Sequence, residues 1–550
     1  MVLKIPFEYK ISTKSVVAQC LGDLTMINSK AKLTPPTIVF IVVLTIMALF
    51  PNLEDPDFYW HLKTGELIVT SGQLPQHDVF TFTSYGNPWI LSEWLSQVVF
   101  FLSYRLAGLQ GIAVLTAIVF MLCWMITYKT CLGVLQDEGK AVIVLMLFCG
   151  AMGAIAPRPH IFTFLFFAVI LRNLISFKYQ KRDIGFLSIP TVMAIWANMH
   201  GGFFIGLVLI FAFSATEWVR HFISLERDTA TSTRLKKLSL VAVLGLLATA
   251  INPHGFHYWL YPYQAIVSSG DTTFISEWQS PNFHQPFYQY FLVIVFIYFI
   301  NIIYSNRRAD ITETVVPLIF IGGAFFSVRN LPLAGLIMAP HAAIFYRELR
   351  LADAIGTIRS NHIRNTQQSE QASTFGKLFS SGNKQVGKAE NTINWLIMIA
   401  SIVAISLHYP TRKKEVESRI SDLLPVRAVD FVVKNKIQGN IFNTYHYGGY
   451  LIYRLNPEQK VFVYGRTDIY KGDFIKEYLE MYSGGENWKK YFYKNNVDYV
   501  ICENIAPIRQ LLLSGNDFKL VFNDGKHSVL LKNNQKYKAI IEKYSYSVAS

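Results

Sequence analysis

The sequence predicts an α-helical polytopic membrane protein of about eleven transmembrane helices with a C-terminal extracytoplasmic α/β domain. Three observations carry that expectation. The 550-residue chain is 52% hydrophobic and 16% charged, with a mean hydropathy of +0.29, whereas roughly a quarter of an ordinary soluble domain is charged. Apolar runs near bilayer-spanning length recur along the chain. From about Pro410 the pattern changes to short alternating apolar segments.

Residues 1–33 carry Lys4, Lys10, Lys14, Lys30 and Lys32 but no compact apolar region ahead of a cleavage site. They read as a cytoplasmic lead-in to a transmembrane domain at 34–409. The first span runs from about Pro36 to Phe50, followed by a first external loop at 51–94. Leu95 to Leu106 has the character of an amphipathic interfacial helix. Further spans are expected near 109–128, 141–157, 161–177, 185–199, 203–219, 238–252, 287–305, 313–327, 331–346 and 392–408.

Charge placement orients these spans. With the N-terminus in the cytoplasm, the internal connections are Lys129–Lys140, Lys178–Arg182, Arg220–Lys237, Asn306–Asp310 and Arg347–Asn391, and all contain Lys or Arg. The external ones are Pro51–Trp94, the turns at Arg158, His200 and Arg329, and Asn252–Tyr288, a long stretch with no Lys or Arg. That is a positive-inside arrangement, and a bacterial inner membrane is the expected location. It also accounts for the net charge of +14 without a nucleic-acid partner. The five cysteines (Cys20, Cys123, Cys131, Cys149, Cys502) lack metal-type spacing, so neither a disulfide framework nor a zinc site is expected.

The last internal connection, 350–390, is rich in Ser, Gln and Asn and reads as a flexible cytoplasmic loop. Residues 410–550 are long enough for a core of their own. Within them KVFVYG, VDYVIC and HSVLLK read as strands, and AVDFVVKN and FIKEYLEMY as helices.

The stretch Leu53–Trp94 carries the strongest functional signal. Glu54, Asp55 and Asp57 stand beside a hydrophobic span and an aromatic cluster that ends in His61. A solvated loop is the ordinary reading of one such acid. A D-x-D pair, however, lets two carboxylates share a proton or a divalent cation (Mg²⁺ or Mn²⁺). Other polar residues fall on the same membrane face: Arg158 in APRPH, Asn198 and His200 in WANMHGG, Asn252, His254 and His257 in INPHGFHYW, and Arg329 in SVRNLPL. Each has an ordinary explanation as a snorkelling charge, a packing group or a helix end. Together they supply what is needed to hold a lipid phosphate and move a proton beside it.

The layout resembles the GT-C superfamily of membrane glycosyltransferases, which use polyprenyl-phosphate-linked sugars as donors. The shared features are an acidic first external loop, about eleven spans and a C-terminal external domain. EDPDFYWHL resembles the D-P-aromatic motif of the oligosaccharyltransferase branch, placing Asp55 on its catalytic aspartate. ISEWQSP is similar to that branch's S-x-S-E string, placing Glu277 on the glutamate. YHYGGYLI resembles its W-W-D-Y-G motif, with His446 where the aspartate stands. The second external connection has Arg158 and His160 where that branch carries an acidic pair.

The chemistry of transfer from such a donor, a single in-line displacement, implies inversion, with Asp55, or else Asp57, as the base or a metal ligand. Arg158 and Arg329, with His200 and His254, would face the donor phosphate. Glu277 would bind the acceptor or complete a metal site. His61, Tyr447, Gly448, Gly449 and Tyr450 would form the acceptor-facing surface. The expected partners are a polyprenyl-phosphate-linked sugar, membrane lipid, and a glycan, lipid or protein acceptor. Two other classes remain open: a transporter or flippase, which more often carries charges or broken helices at the midplane and related halves, and a non-catalytic envelope-assembly protein, which would leave its spans plain.

Overall fold

The computed structural model describes residues 53–152, 156–224, 228–261, 276–347 and 414–545. The predicted spans at 36–50 and 392–408, the N-terminal segment and the loop at 350–390 lie outside these residues. Each other predicted span falls on a helix. After α1 (Pro56–Ser71) come α2 (Trp94–Leu135), α3 (Glu138–Cys149), α4 (His160–Tyr179), α5 (Ser188–Met199) and α6 (Phe203–Ile223). Then follow α7 (Thr229–Ala248), α8 (Pro286–Tyr304), α9 (Ile311–Phe326) and α10 (Leu331–Tyr346). Five of them, α2, α4, α6, α8 and α10 with the short turn before it, are long and apolar enough to cross a membrane. The chain is an integral membrane protein.

Helix α1 starts at Pro56, and Asp55 is its N-cap, in extended geometry (φ −61°, ψ 119°) with its side chain accepting the Asp57 N–H at 3.0 Å. Proline suits the first helical position, because its φ is already helical and its missing N–H would have had no intrahelical acceptor. Helix α2 joins the expected interfacial segment to the next span through a break at Ala107 and Gly108, where Gly108 has φ 60° and ψ −147°.

The helices gather polar residues at two opposite ends. At one, Lys178 pairs with Glu217 and, at 2.6 Å, with Asp310, while Arg307 reaches Glu313 at 2.6 Å. Asp310 also caps α9 in a reciprocal capping box with Glu313. The 20-residue α4 carries Lys178 at that end and His160 at the other, a separation of about 30 Å at 1.5 Å per residue. Arg158, His200 and Arg329 collect near His160. The connections that charge placement assigned to opposite faces therefore lie at opposite ends of the helices.

The C-terminal region consists of α11 (Val426–Lys434), β1 (Ile441–Asn443), α12 (Gly448–Leu455), α13 (Phe474–Ser483), α14 (Trp488–Lys494), β2 (Tyr499–Glu503), α15 (Pro507–Ser514), β3 (Phe518–Asn523), β4 (His527–Lys532) and α16 (Lys538–Tyr544). The sheet order is β1-β2-β4-β3, with β1 and β2 parallel and the other pairs antiparallel. VDYVIC and HSVLLK supply β2 and β4, and the two expected helices are α11 and α13.

KVFVYG is not a sheet strand. Asn443 intercepts it: its Oδ1 accepts from the backbone N–H groups of Phe462 (3.0 Å) and Val463 (3.4 Å), and its Nδ2 donates to Val463 O (2.8 Å). A side chain occupies the groups a neighbouring strand would use. What remains is an isolated bridge to Thr81 of the first loop.

That bridge belongs to a broad seam between the first loop and the C-terminal region. Val461 exchanges backbone hydrogen bonds with Phe80 (2.9 Å) and Phe82 (3.2 Å). Thr83 Oγ1 donates to Phe462 O at 2.6 Å, and Asn87 Nδ2 to Ile469 O at 2.9 Å. Tyr59 meets Tyr450 edge-on at 5.1 Å, and Trp60 meets Tyr464 at 5.7 Å. Aromatic pairs of this kind contribute about 0.5–1.5 kcal/mol each beyond their buried area.

The same packing corrects the reading of Tyr447, Gly448, Gly449 and Tyr450 as an acceptor-facing surface. All four are buried. A Cβ on Gly448 would collide with Val463 O and one on Gly449 with Pro56 O. The two glycines let α12 lie directly against the start of α1, so this string joins the two parts of the protein.

Candidate functional site

The site is built where α1 begins, where α4 begins, and where the segments before α8 and α10 turn back. Arg158 lies at its centre. Its Nε donates to both oxygens of Asp55 at 2.9 Å, and one terminal nitrogen lies 2.8 Å from Asp55 Oδ2. The other terminal nitrogen reaches Asp57 Oδ2 at 3.1 Å and Glu277 Oε1 at 2.7 Å. One guanidinium thus gathers three carboxylates, each more than a hundred residues from it in sequence. The planar fork of arginine suits such bidentate contact.

Arg329 completes the cluster from the turn before α10. Its guanidinium carbon lies 5.6 Å from the Trp278 ring centroid, and among the described residues no carboxylate pairs with it. The cluster separates two cavities. The smaller, about 280 Å³, is lined by Asp55, Arg158, His160, Glu277 and Arg329 together with apolar residues including Phe164, Phe287 and Leu331. Phe287 belongs to α8, whose apolar window is 28% buried against 44% to 78% in the other four long spans. This helix is the least buried of the five long spans. The larger cavity, about 520 Å³, lies below the C-terminal region and is lined by Asp57, His61, Glu93, His200, Arg466 and Asp468 among others. Arg158, His160, Glu277 and Arg329 line both.

The two aspartates differ in place. Asp55 lines the smaller cavity and Asp57 the larger. Burial raises the Asp57 carboxyl above the ordinary range, offset in part by Arg158 and reinforced by Asp55 and Glu277. Gly465 leaves the space Asp57 occupies, since a Cβ there would strike its Oδ1. Glu277 shows the opposite balance: burial opposes its charge, but Arg158 and Arg329 outweigh it and hold the carboxyl low. Burial depresses Arg158, yet Asp57, Asp55 and Glu277 more than reverse this and keep it firmly cationic.

The histidines divide. His61 and His200 line the larger cavity, on either side of Glu93 at 3.5 and 3.4 Å, and burial holds both imidazoles neutral. His200 Nδ1 faces Thr163 Oγ1 at 2.7 Å. His254, expected at the phosphate, lines neither cavity. Its backbone N–H is capped by Asn252 Oδ1 at 2.7 Å, and the turn directs its ring toward Tyr258, 6.0 Å away.

Sequence reading did not single out Glu93, Arg466 or Asp468. Arg466 binds Asp468 through two contacts of 2.8 and 2.6 Å and lies over Trp89 at 4.4 Å. Burial pushes Glu93 up to about 7, with Arg329 and Arg466 pulling it down and Asp468 and Asp57 pushing it further up. The folded state therefore holds a proton that the unfolded chain has released between about pH 4.5 and about pH 7. Stability drawn from Glu93 falls as pH rises through that window. Glu93→Gln removes the effect, so its melting temperature relative to the wild type is expected to climb from pH 5 to pH 7. A constant difference would remove Glu93 from the buried set.

A divalent cation fits this arrangement poorly. Both Asp55 oxygens are engaged by Arg158, and Oδ1 also accepts the Asp57 N–H. Among the described residues no group of three or more His, Cys, Asp or Glu side chains has metal-holding geometry.

No family model matches the chain, and no curated protein matches it. Among solved structures it is similar to ArnT from Cupriavidus metallidurans bound to undecaprenyl phosphate, at 13% identity, with 93% of this chain and 98% of that chain covered and a TM-score of 0.44. The apo state of the same protein gives 12% identity, the same coverages and a TM-score of 0.45.

Proposed function

We propose that the protein transfers a sugar from a polyprenyl-phosphate-linked donor to an acceptor at the membrane surface, with inversion. The observation that supports this best is the pair of cavities with a shared charged wall. One is part apolar and bounded by the least buried of the long spans, suited to a lipid phosphate. The other is polar and lies under the C-terminal region, suited to an acceptor and the transferred sugar.

In this reading Arg329 takes the departing phosphate from the shared wall. Asp57, on the acceptor side, takes the acceptor proton, and its raised pKa makes it a better proton acceptor than an ordinary aspartate. Asp55 holds Arg158 and caps α1, a positioning role. Attack from the larger cavity on a sugar whose phosphate lies in the smaller one is an in-line displacement, which inverts the anomeric centre.

The test is a transfer assay with purified protein in nanodiscs, the cell's own polyprenyl-phosphate sugars and an envelope extract as acceptor. Free polyprenyl phosphate should accumulate as the sugar-lipid is consumed. No consumption above a heat-inactivated control would overturn the proposal.

In this reading, which the distribution of Lys and Arg supports, this end of the protein faces away from the cytoplasm of a bacterial inner membrane. A cysteine at Ser280 should then react with an impermeant thiol reagent in intact cells, and one at Ser232 only after lysis. The reverse labelling would turn the protein over and put the site inside.

A further inference from the structure

We propose that the Arg158 guanidinium stands in for a divalent cation, so that the site gathers its carboxylates and balances their charge without a metal ion. This rests on the transfer reading for its consequence, but the binding arm of its test does not.

The argument is one of occupied lone pairs and of charge. A guanidinium has five N–H donors; on Arg158 the Nε–H is hydrogen-bonded to Asp55 and a terminal N–H to Glu277, and its two terminal nitrogens make further ion-pair contacts with Asp55 and Asp57. Asp55 is the most fully used: each of its oxygens takes Nε, Oδ2 takes a terminal nitrogen as well, and Oδ1 takes a backbone N–H. Magnesium needs oxygens at about 2.0–2.1 Å in near-octahedral order. Those oxygens already converge on the guanidinium, and a metal drawing on them would lie against a permanent positive charge.

The local sum also disfavours an extra ion. Three carboxylates face two arginines, Arg158 and Arg329, a formal total of −1 that a divalent ion would turn to +1. Arginine stays charged over the whole working range of pH, so the cluster's cation is always loaded. It is also covalently fixed, which leaves Arg329 as the group free to meet the incoming phosphate.

The experiment uses the full chain in detergent, stripped with EDTA, and Mn²⁺ as probe, followed by electron paramagnetic resonance. The wild type is expected to bind no stoichiometric Mn²⁺, and transfer should change less than about twofold with EDTA present. Arg158→Ala frees the three carboxylates and is expected to bind about one equivalent of Mn²⁺, lost again when Asp55→Asn is added. Arg158→Lys keeps a cation in place and should bind none.

One equivalent of Mn²⁺ on the wild type, lost in Asp55→Asn, would overturn the proposal. So would transfer abolished by EDTA and restored by Mn²⁺, or an Arg158→Ala protein that folds yet binds none. If Arg158→Ala does not fold, the wild-type measurement decides alone. A protein without transfer activity that still binds no Mn²⁺ would fail the functional reading and leave this one standing.

Discussion

Asp57→Asn is expected to lower glycosyl transfer by at least about a hundredfold while leaving donor binding and the fold intact. The loss is of the size that follows removal of a general base. Asparagine keeps the volume beside Gly465, where there is no room for a larger group, and α1 keeps its cap because the capping side chain is Asp55. The pH profile separates this from a structural effect. In the wild type, transfer should rise with pH as Asp57 loses its proton, with that limb lying above the ordinary aspartate range because burial raises the group. In Asp57→Asn the limb should vanish. Asp55→Asn should also reduce transfer, since Arg158 loses its main anchor, but it should keep the limb. An unchanged rate in Asp57→Asn would remove that residue from the chemistry.

Arg329→Met is expected to abolish measurable donor binding. Arg329 borders both cavities, and among the described residues it has no carboxylate partner, so its charge is uncommitted in the way a phosphate-binding group requires. Methionine fills similar space beside Trp278 without leaving a buried charge unpaired. Arg329→Lys should recover part of the binding, since it keeps the charge but loses the fork that meets two phosphate oxygens at once. Binding is best read with a radiolabelled polyprenyl phosphate in nanodiscs. Normal binding by the methionine variant would return Arg329 to a structural role.

The spans were legible in the sequence because each is a long apolar run, and the length of such a run is set by the bilayer. The convergence of Asp55, Arg158, Glu277 and Arg329 was legible in part because residues at alternate turns of a helical membrane protein share an end. Which group pairs with which was not. Arg158 is expected from the sequence as a phosphate ligand, whereas it is held by three carboxylates, a matter of ångströms that spacing does not encode. Glu93 escaped notice because its surroundings come from α1, α5 and the C-terminal region, all distant in sequence. KVFVYG has an ordinary strand pattern and was read as one; the competing hydrogen bonds come from Asn443, some twenty residues earlier. YHYGGYLI is expected to face the acceptor from its resemblance to the W-W-D-Y-G motif, while its glycines signal a close approach without saying to what.

The break at Ala107–Gly108 bears on depth. Before it, Leu102 and Leu106 are exposed apolar residues, the latter 86% exposed, on a segment attached directly to Glu93 and the larger cavity. Beyond it the same helix run becomes a span. Such a segment is expected at the headgroup boundary, its exposed leucines meeting lipid while Ser96 and Gln97 pack into the protein. At that depth it would act as a waterline for the protein. In thick and thin bilayers alike, the charged wall should ride at the level of the lipid phosphates of its own leaflet, while mismatch is taken up at the far end around Lys178 and Glu217.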